Sequence, residues 1–190
     1  PAVTEGQGLP AVVAAGCDGF LRSIRAKDGQ VLSKIEIGAY VGASPAILGQ
    51  RCFLGTFENQ VVAIDLLAGK IVWTYENPER QFPFIASAAL NGRTVFVGGR
   101  DKSVHALDAE TGRPIWTYAT KGRVDASALL AGDRLFTATT SGELLALEPA
   151  TGKLLWQFET GSSIVGSPAA GAGRLVIGTT AGTLHAFGAS

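Results

Sequence analysis

Val104–Trp116 reads Val-His-Ala-Leu-Asp-Ala-Glu-Thr-Gly-Arg-Pro-Ile-Trp. It is an alternating strand, a polar turn closed by Gly112, and a second strand ending in Trp116. The same pattern stands at Val61–Trp73 and Leu144–Trp156, in a worn form at Leu21–Ser33, and begins again at Leu184–Phe187. The turn glycines Gly29, Gly69, Gly112 and Gly152 are spaced 40, 43 and 40 residues apart. Ser33, Trp73, Trp116 and Trp156 keep the same steps. So do the serines Ser44, Ser87, Ser127 and Ser167, and the small residues Ala15, Gly55, Gly98, Ala138 and Gly178. Four independent anchors in one register make this a repeat protein.

Each unit divides into four strand-like segments, A to D. Strand A is rich in small residues (Ile164–Ala170), and strand B is short and apolar (Arg174–Thr179, Thr94–Gly99). Strand C alternates (Val61–Asp65), and strand D carries the aromatic residue (Lys153–Phe158). Asn91-Gly92 and Ala172-Gly173 favour tight hairpins between A and B. The two-residue period argues against helical repeats of similar length. Four strands in about 40 residues predict an all-β fold of β-propeller blades. Small residues on A suit the crowded inner strands. B and C stack between blades, and the tryptophans Trp73, Trp116 and Trp156 lock one blade against the next.

The 190 residues hold 16 basic and 16 acidic side chains, with no basic stripe, which speaks against a nucleic-acid partner. No apolar run is long enough to span a bilayer, and no stretch of this sequence reads as a charged segment followed by an apolar leader. The absence of methionine predicts a processed or excised chain. Cys17 and Cys52 read as two free thiols, with a disulfide in an oxidising compartment as the alternative.

The repeated stretch resembles the tryptophan-docking motif of the PQQ-like (quinoprotein and BamB-type) propeller repeat, Ala-x-Asp-x-x-x-Gly-Lys-x-x-Trp. Ala63, Asp65, Gly69, Lys70 and Trp73 match throughout. Ala106, Asp108, Gly112 and Trp116 match with Arg113 for Lys, and Ala146, Gly152, Lys153 and Trp156 match with Glu148 for Asp. Ser23, Arg25 and Ser33 depart in the first copy. The Gly-His and Trp-Asp marks of WD40 blades are missing. The resemblance implies a non-catalytic scaffold for protein–protein interaction, similar in kind to the BamB type, in the periplasm or another extracytoplasmic space. One alternative is a fragment of a quinoprotein dehydrogenase holding pyrroloquinoline quinone and Ca²⁺, and another is a sensory ligand-binding propeller. The enzymes' adjacent cysteine pair is absent, as Cys17 and Cys52 lie 35 residues apart, and no Asp-x-Asp cluster suits a hard cation. No cofactor and no catalytic residue is therefore expected.

His105 and His185 share one place in strand C, and two blades keep them too far apart for one metal. Asp65, Asp108 and Glu148 open their turns and are expected to accept turn N–H groups. Departures from the repeat point to a partner surface. The segment Glu76–Phe84 is three residues longer than its counterparts and carries Arg80, Phe82 and Phe84. On strand A, Arg123 and Asp125 stand where other copies have Tyr40, Pro83, Ser163 and Gly42, Ile85, Val165. They are expected to pair with each other or to contact a ligand. Arg100 and Asp101 share that face. The partner-binding candidates are thus Arg80, Phe82, Phe84, Arg100, Asp101, Arg123 and Asp125. The strands number eighteen: B, C and D at the start, three whole blades, then A, B and C. About four and a half blades with unmatched ends predict an arc of a larger ring, or association with further blades or another copy.

Overall fold

A computed structural model describes residues 1–6 and 9–188, without the side chains of residues 5–10. The described residues form strands and turns only, and no helix is long and apolar enough to cross a membrane. Five antiparallel sheets follow one another along the chain. The first holds β1 (Ala2–Gly6), β2 (Leu9–Ala15), β3 (Phe20–Arg25) and β4 (Val31–Glu36), and the second β5 (Ala46–Leu48), β6 (Arg51–Gly55), β7 (Gln60–Asp65) and β8 (Lys70–Glu76). The third holds β9 (Ala89–Asn91), β10 (Thr94–Gly99), β11 (Ser103–Asp108) and β12 (Pro114–Ala119), and the fourth β13 (Leu129–Ala131), β14 (Arg134–Ala138), β15 (Glu143–Leu147) and β16 (Leu154–Glu159). The fifth has three strands, β17 (Ala169–Gly171), β18 (Arg174–Gly178) and β19 (Leu184–Gly188). These are blades of a β-propeller, about four and a half of them, each a meander with its strands in sequence order.

Two expectations need correction. The first sheet does not lack strand A, because Ala2–Gly6 pairs with β2 from Ala2↔Val13 to Gly6↔Leu9. That segment has no repeat anchor, and its place is set by backbone bonds that no side chain announces. The strand expected at Ile164–Ala170 is only Ala169–Gly171. The residues before it spend their backbone groups sideways: Ile164 N–H donates to Thr139 O and Thr180 N–H to Ser163 O. The periodic serines join these loops, Ser44 N–H donating to Ser87 Oγ and Ser127 N–H to Ser167 Oγ, both at 2.9 Å.

Two compact units divide the chain at Ala88/Ala89. In the first, Val13, Leu21 and Ile35 of the first sheet pack on Cys52, Leu54, Val62 and Ile64 of the second. In the second, Leu145 and Leu147 of β15 pack toward Phe96 and Val104 of the third sheet. Leu144, next to Leu145, turns the other way, toward Leu175 and Ile177 of the fifth. A strand covered on both faces reads as a continuous apolar run, and β15, buried throughout, is apolar from Leu144 to Leu147.

One irregularity recurs in the first four sheets. Strand C slips register against D after Ser23, Ala63, Ala106 and Ala146. The residue at the slip faces the strand-D aromatic across the ladder, giving Ala63↔Trp73, Ala106↔Trp116 and Ala146↔Trp156. A methyl group leaves room for the indole. In the worn copy the pair is Ser23↔Ser33.

Candidate functional site

Each blade has a turn end and a loop end, and the motif residues gather at the turn end. Asp65 Oδ1 accepts from the N–H groups of Leu67 and Ala68 at 2.9 and 2.8 Å. Asp108 Oδ1 accepts from Glu110 N–H, Thr111 N–H and Thr111 Oγ1 at 3.0, 2.8 and 2.9 Å. These bonds favour the carboxylate. The Ala68 N–H chiefly holds Asp65 below the usual range, and the Thr111 N–H does so for Asp108. Glu148, one methylene longer, instead takes the Thr151 hydroxyl. Gly69, Gly112 and Gly152 close the turns with φ of 66°, 72° and 73°, a left-handed geometry that other residues adopt at a cost.

The Trp116 indole lies on the Gly152 turn of the following sheet. Its Nε1–H donates to Pro149 O at 2.9 Å, and a Cβ on Gly152 would stand 2.6 Å from the ring. Trp73 meets Phe53 of its own sheet at 5.8 Å. Trp156 meets Phe158 and Phe187 at 6.2 and 5.2 Å. It also lines a groove of about 890 Å³ with Arg134, Phe136, Arg174 and Leu175.

At the loop end the candidates separate. Arg80 and Phe82 are exposed, Phe82 by 46%. Phe84 is fully buried, 6.3 Å from Tyr75, its N–H bonded to Thr56 O. A Cβ on Gly55 would meet Phe84 O at 2.3 Å, so the small residue closing β6 exists to admit this segment. Phe84 is therefore core and leaves the partner surface. Asp101 leaves it too. It is fully buried, with Oδ2 2.9 Å from His105 Nε2 and Oδ1 accepting from Ser103 N–H at 3.1 Å.

Arg123 and Asp125 do not pair. Val124 N–H bonds to Gly99 O, which lays this loop beside Arg100. Arg100 then donates to both carboxylate oxygens of Asp125, Nε–H to Oδ1 and Nη2–H to Oδ2, each at 3.1 Å. Arg123 points to solvent, and among the described residues it makes no ion pair.

Sequence reasoning passed over Tyr40 and Phe57, which are 60% and 40% exposed. Phe57 N–H donates to Tyr40 O at 2.9 Å, and a Cβ on Gly42 would meet the Phe57 ring at 3.0 Å. With the backbone bond from Phe84 to Thr56, three successive loops carrying Tyr40, Phe57 and Phe82 are tied together at the loop end of the second sheet. The signal was present in the repeat. Phe57 occupies the place that Arg100, Thr140 and Thr180 take in later copies, an aromatic residue on a loop whose counterparts are polar.

Cys17 is exposed and Cys52 is buried in β6, both free. Burial pushes the Cys52 thiol up to about 12. Among the described residues no three His, Cys, Asp or Glu side chains gather as a metal would require.

Among solved structures, the chain is similar to BamB from Moraxella catarrhalis, with a TM-score of 0.82 and 25% identity over 98% of this chain and 60% of that one. The computationally designed Ika8 protein matches with a TM-score of 0.82 and 16% identity over 99% of this chain and 57% of that one. The designed Ika4 protein matches with a TM-score of 0.70 and 15% identity over 80% of this chain and 92% of that one. The two designs share the fold alone. The chain thus spans about 60% of the length of the BamB it matches. No curated protein matches. The profile of the family described as outer membrane protein assembly factor BamB matches residues 8–123 and 100–190, and the chain belongs to that family.

Proposed function

We propose that this chain is a non-catalytic β-propeller scaffold that docks other proteins at the loop ends of its blades and works outside the cytoplasm, in the periplasm. The observation that carries the proposal is the aromatic cluster Tyr40, Phe57 and Phe82, 60, 40 and 46% exposed on loops that share backbone bonds. Large aromatic side chains held out on rigid loops supply contact area with little ordering entropy to lose. The blade cores account for the buried aromatics such as Phe53 and Phe84. They do not account for these three. In this reading the chain holds no quinone or metal, and its partner is a protein engaged in outer membrane protein assembly, as the family description suggests.

The test places a photo-crosslinking phenylalanine analogue at Phe57 in the source cells. A control carries it at Leu67, which is 57% exposed on the turn end of the same sheet. A discrete protein adduct at Phe57, lost on Tyr40→Ser plus Phe82→Ser and absent at Leu67, is the expected result. No adduct at Phe57, or equal adducts at both positions, overturns the proposal. Saturable binding of pyrroloquinoline quinone with Ca²⁺ would instead favour a dehydrogenase fragment.

A further inference from the structure

The loop end of the second unit has a different chemistry. Every acid there is committed within the unit. Arg100 holds Asp125, and His105 with the Ser103 N–H holds Asp101. Glu143 accepts from Lys121 N–H and from the Thr139 and Ser141 hydroxyls, and Glu159 takes Lys121 Nζ at 2.6 Å. On the cationic side Arg100 and Lys121 are answered by these acids. Arg123 and Lys102 are not: both are exposed, and among the described residues neither has an ion-pair partner.

Their backbone is fixed. Thr120 N–H donates to Lys102 O and Thr140 N–H to Arg123 O, both at 2.9 Å. Lys102 sits at a φ of 63°, and Gly122 lies so close to Ser141 that a Cβ would stand 2.5 Å from its N. The repeat does not require these cations. Tyr40, Pro83 and Ser163 take the place of Arg123 in other copies, and Phe57, Thr140 and Thr180 take that of Arg100.

We infer that Arg123 and Lys102 recognise an Asp- or Glu-rich segment of a partner protein. The inference rests on the scaffold reading and names the chemistry of one partner segment. The Arg100–Asp125 fork, with both contacts at 3.1 Å, is the internal example of the geometry Arg123 offers to an incoming carboxylate. A nucleic acid suits the site poorly, since a phosphate backbone calls for a longer run of cations. The chain's 16 basic and 16 acidic residues supply no such run.

Fluorescence anisotropy of the whole chain with a short labelled peptide of alternating Glu, Asp and Ser tests this, beside its Gln/Asn counterpart and an oligothymidylate of equal length. Saturable, salt-sensitive binding of the acidic peptide is expected, with about tenfold or more weaker binding of the amide peptide. Arg123→Glu with Lys102→Glu should weaken the acidic peptide similarly, while Lys153→Glu on the turn end leaves it unchanged. Equal binding of the two peptides, no saturable binding up to millimolar peptide, unaltered binding by the double variant, or tighter binding of the oligothymidylate each overturns the inference. An adduct at Phe57 without acidic-peptide binding would sink this inference alone. Acidic-peptide binding without the adduct would sink the aromatic docking surface and leave this site standing.

Discussion

His105 and His185 occupy the same place in their strands, yet their surroundings differ because of one residue. Asp101 stands four residues before His105 and accepts its ring, both side chains fully buried. Ala181 stands there for His185, whose Nε2 is buried with no hydrogen-bond partner among the described residues and whose ring lies 5.5 Å from Phe158. A buried imidazole that loses its carboxylate keeps its desolvation cost and gains nothing in exchange. Asp101→Ala is therefore expected to lower unfolding free energy by about 2–4 kcal/mol in urea titrations. Arg123→Ala, at an exposed position, should stay within about 0.5 kcal/mol. Equal small losses would mean that Asp101 belongs to the surface after all. The sequence could not separate these two charges. Both stand on loops, and only the hydrogen-bond geometry shows which one is enclosed.

At the scale of the element, the tryptophan motif is a seat as well as a plate. The Trp116 ring lies against the Gly152 turn, where a Cβ would overlap it at 2.6 Å. The equivalent Gly69 has nothing within 4 Å of that position, although its φ of 66° is nearly the same. The preceding repeat carries Ser33 in place of the tryptophan, so no ring is there to meet it. Gly69→Ala should cost only the left-handed backbone strain, about 1–2 kcal/mol. Gly152→Ala adds about 1–3 kcal/mol of overpacking against the indole. Thermal melts of the two variants decide the matter, and equal losses would remove the seat from the argument. Strands B, C and D were legible to within about a residue, because alternation and turn glycines mark their ends. Strand A was overestimated because Ile164–Pro168 continues an apolar run, while the Ile164 N–H and the preceding Ser163 O bond to neighbouring loops.

For the whole molecule, the two units Pro1–Ala88 and Ala89–Ser190 each contain a core made between sheets rather than inside one. A blade alone covers neither of its faces, so stability rises with each neighbour. Among the described residues the fifth sheet ends at β19, with Leu184 72% exposed, where the other sheets have a fourth strand. A strand edge of this kind pairs readily with another chain. Sedimentation velocity of the 190-residue chain is expected to show concentration-dependent association, reduced by Leu184→Lys. A monomer at every concentration would contradict this.

The sequence by itself determined the repeat, the all-β blades, the turn chemistry of Asp65 and Asp108, and the tryptophans that mark strand D. All of these follow from local period and local hydrogen bonding. Only the tertiary structure decided which departures from the repeat face outward. Phe82 and Phe84 are two residues apart in one loop, and the chain folds the second into the core while leaving the first in solvent. Arg123 and Asp125 are likewise two apart, and Asp125 turns to Arg100, 25 residues away. Burial and charge pairing depend on which loops the backbone bonds bring side by side, and sequence spacing within one loop does not carry that information.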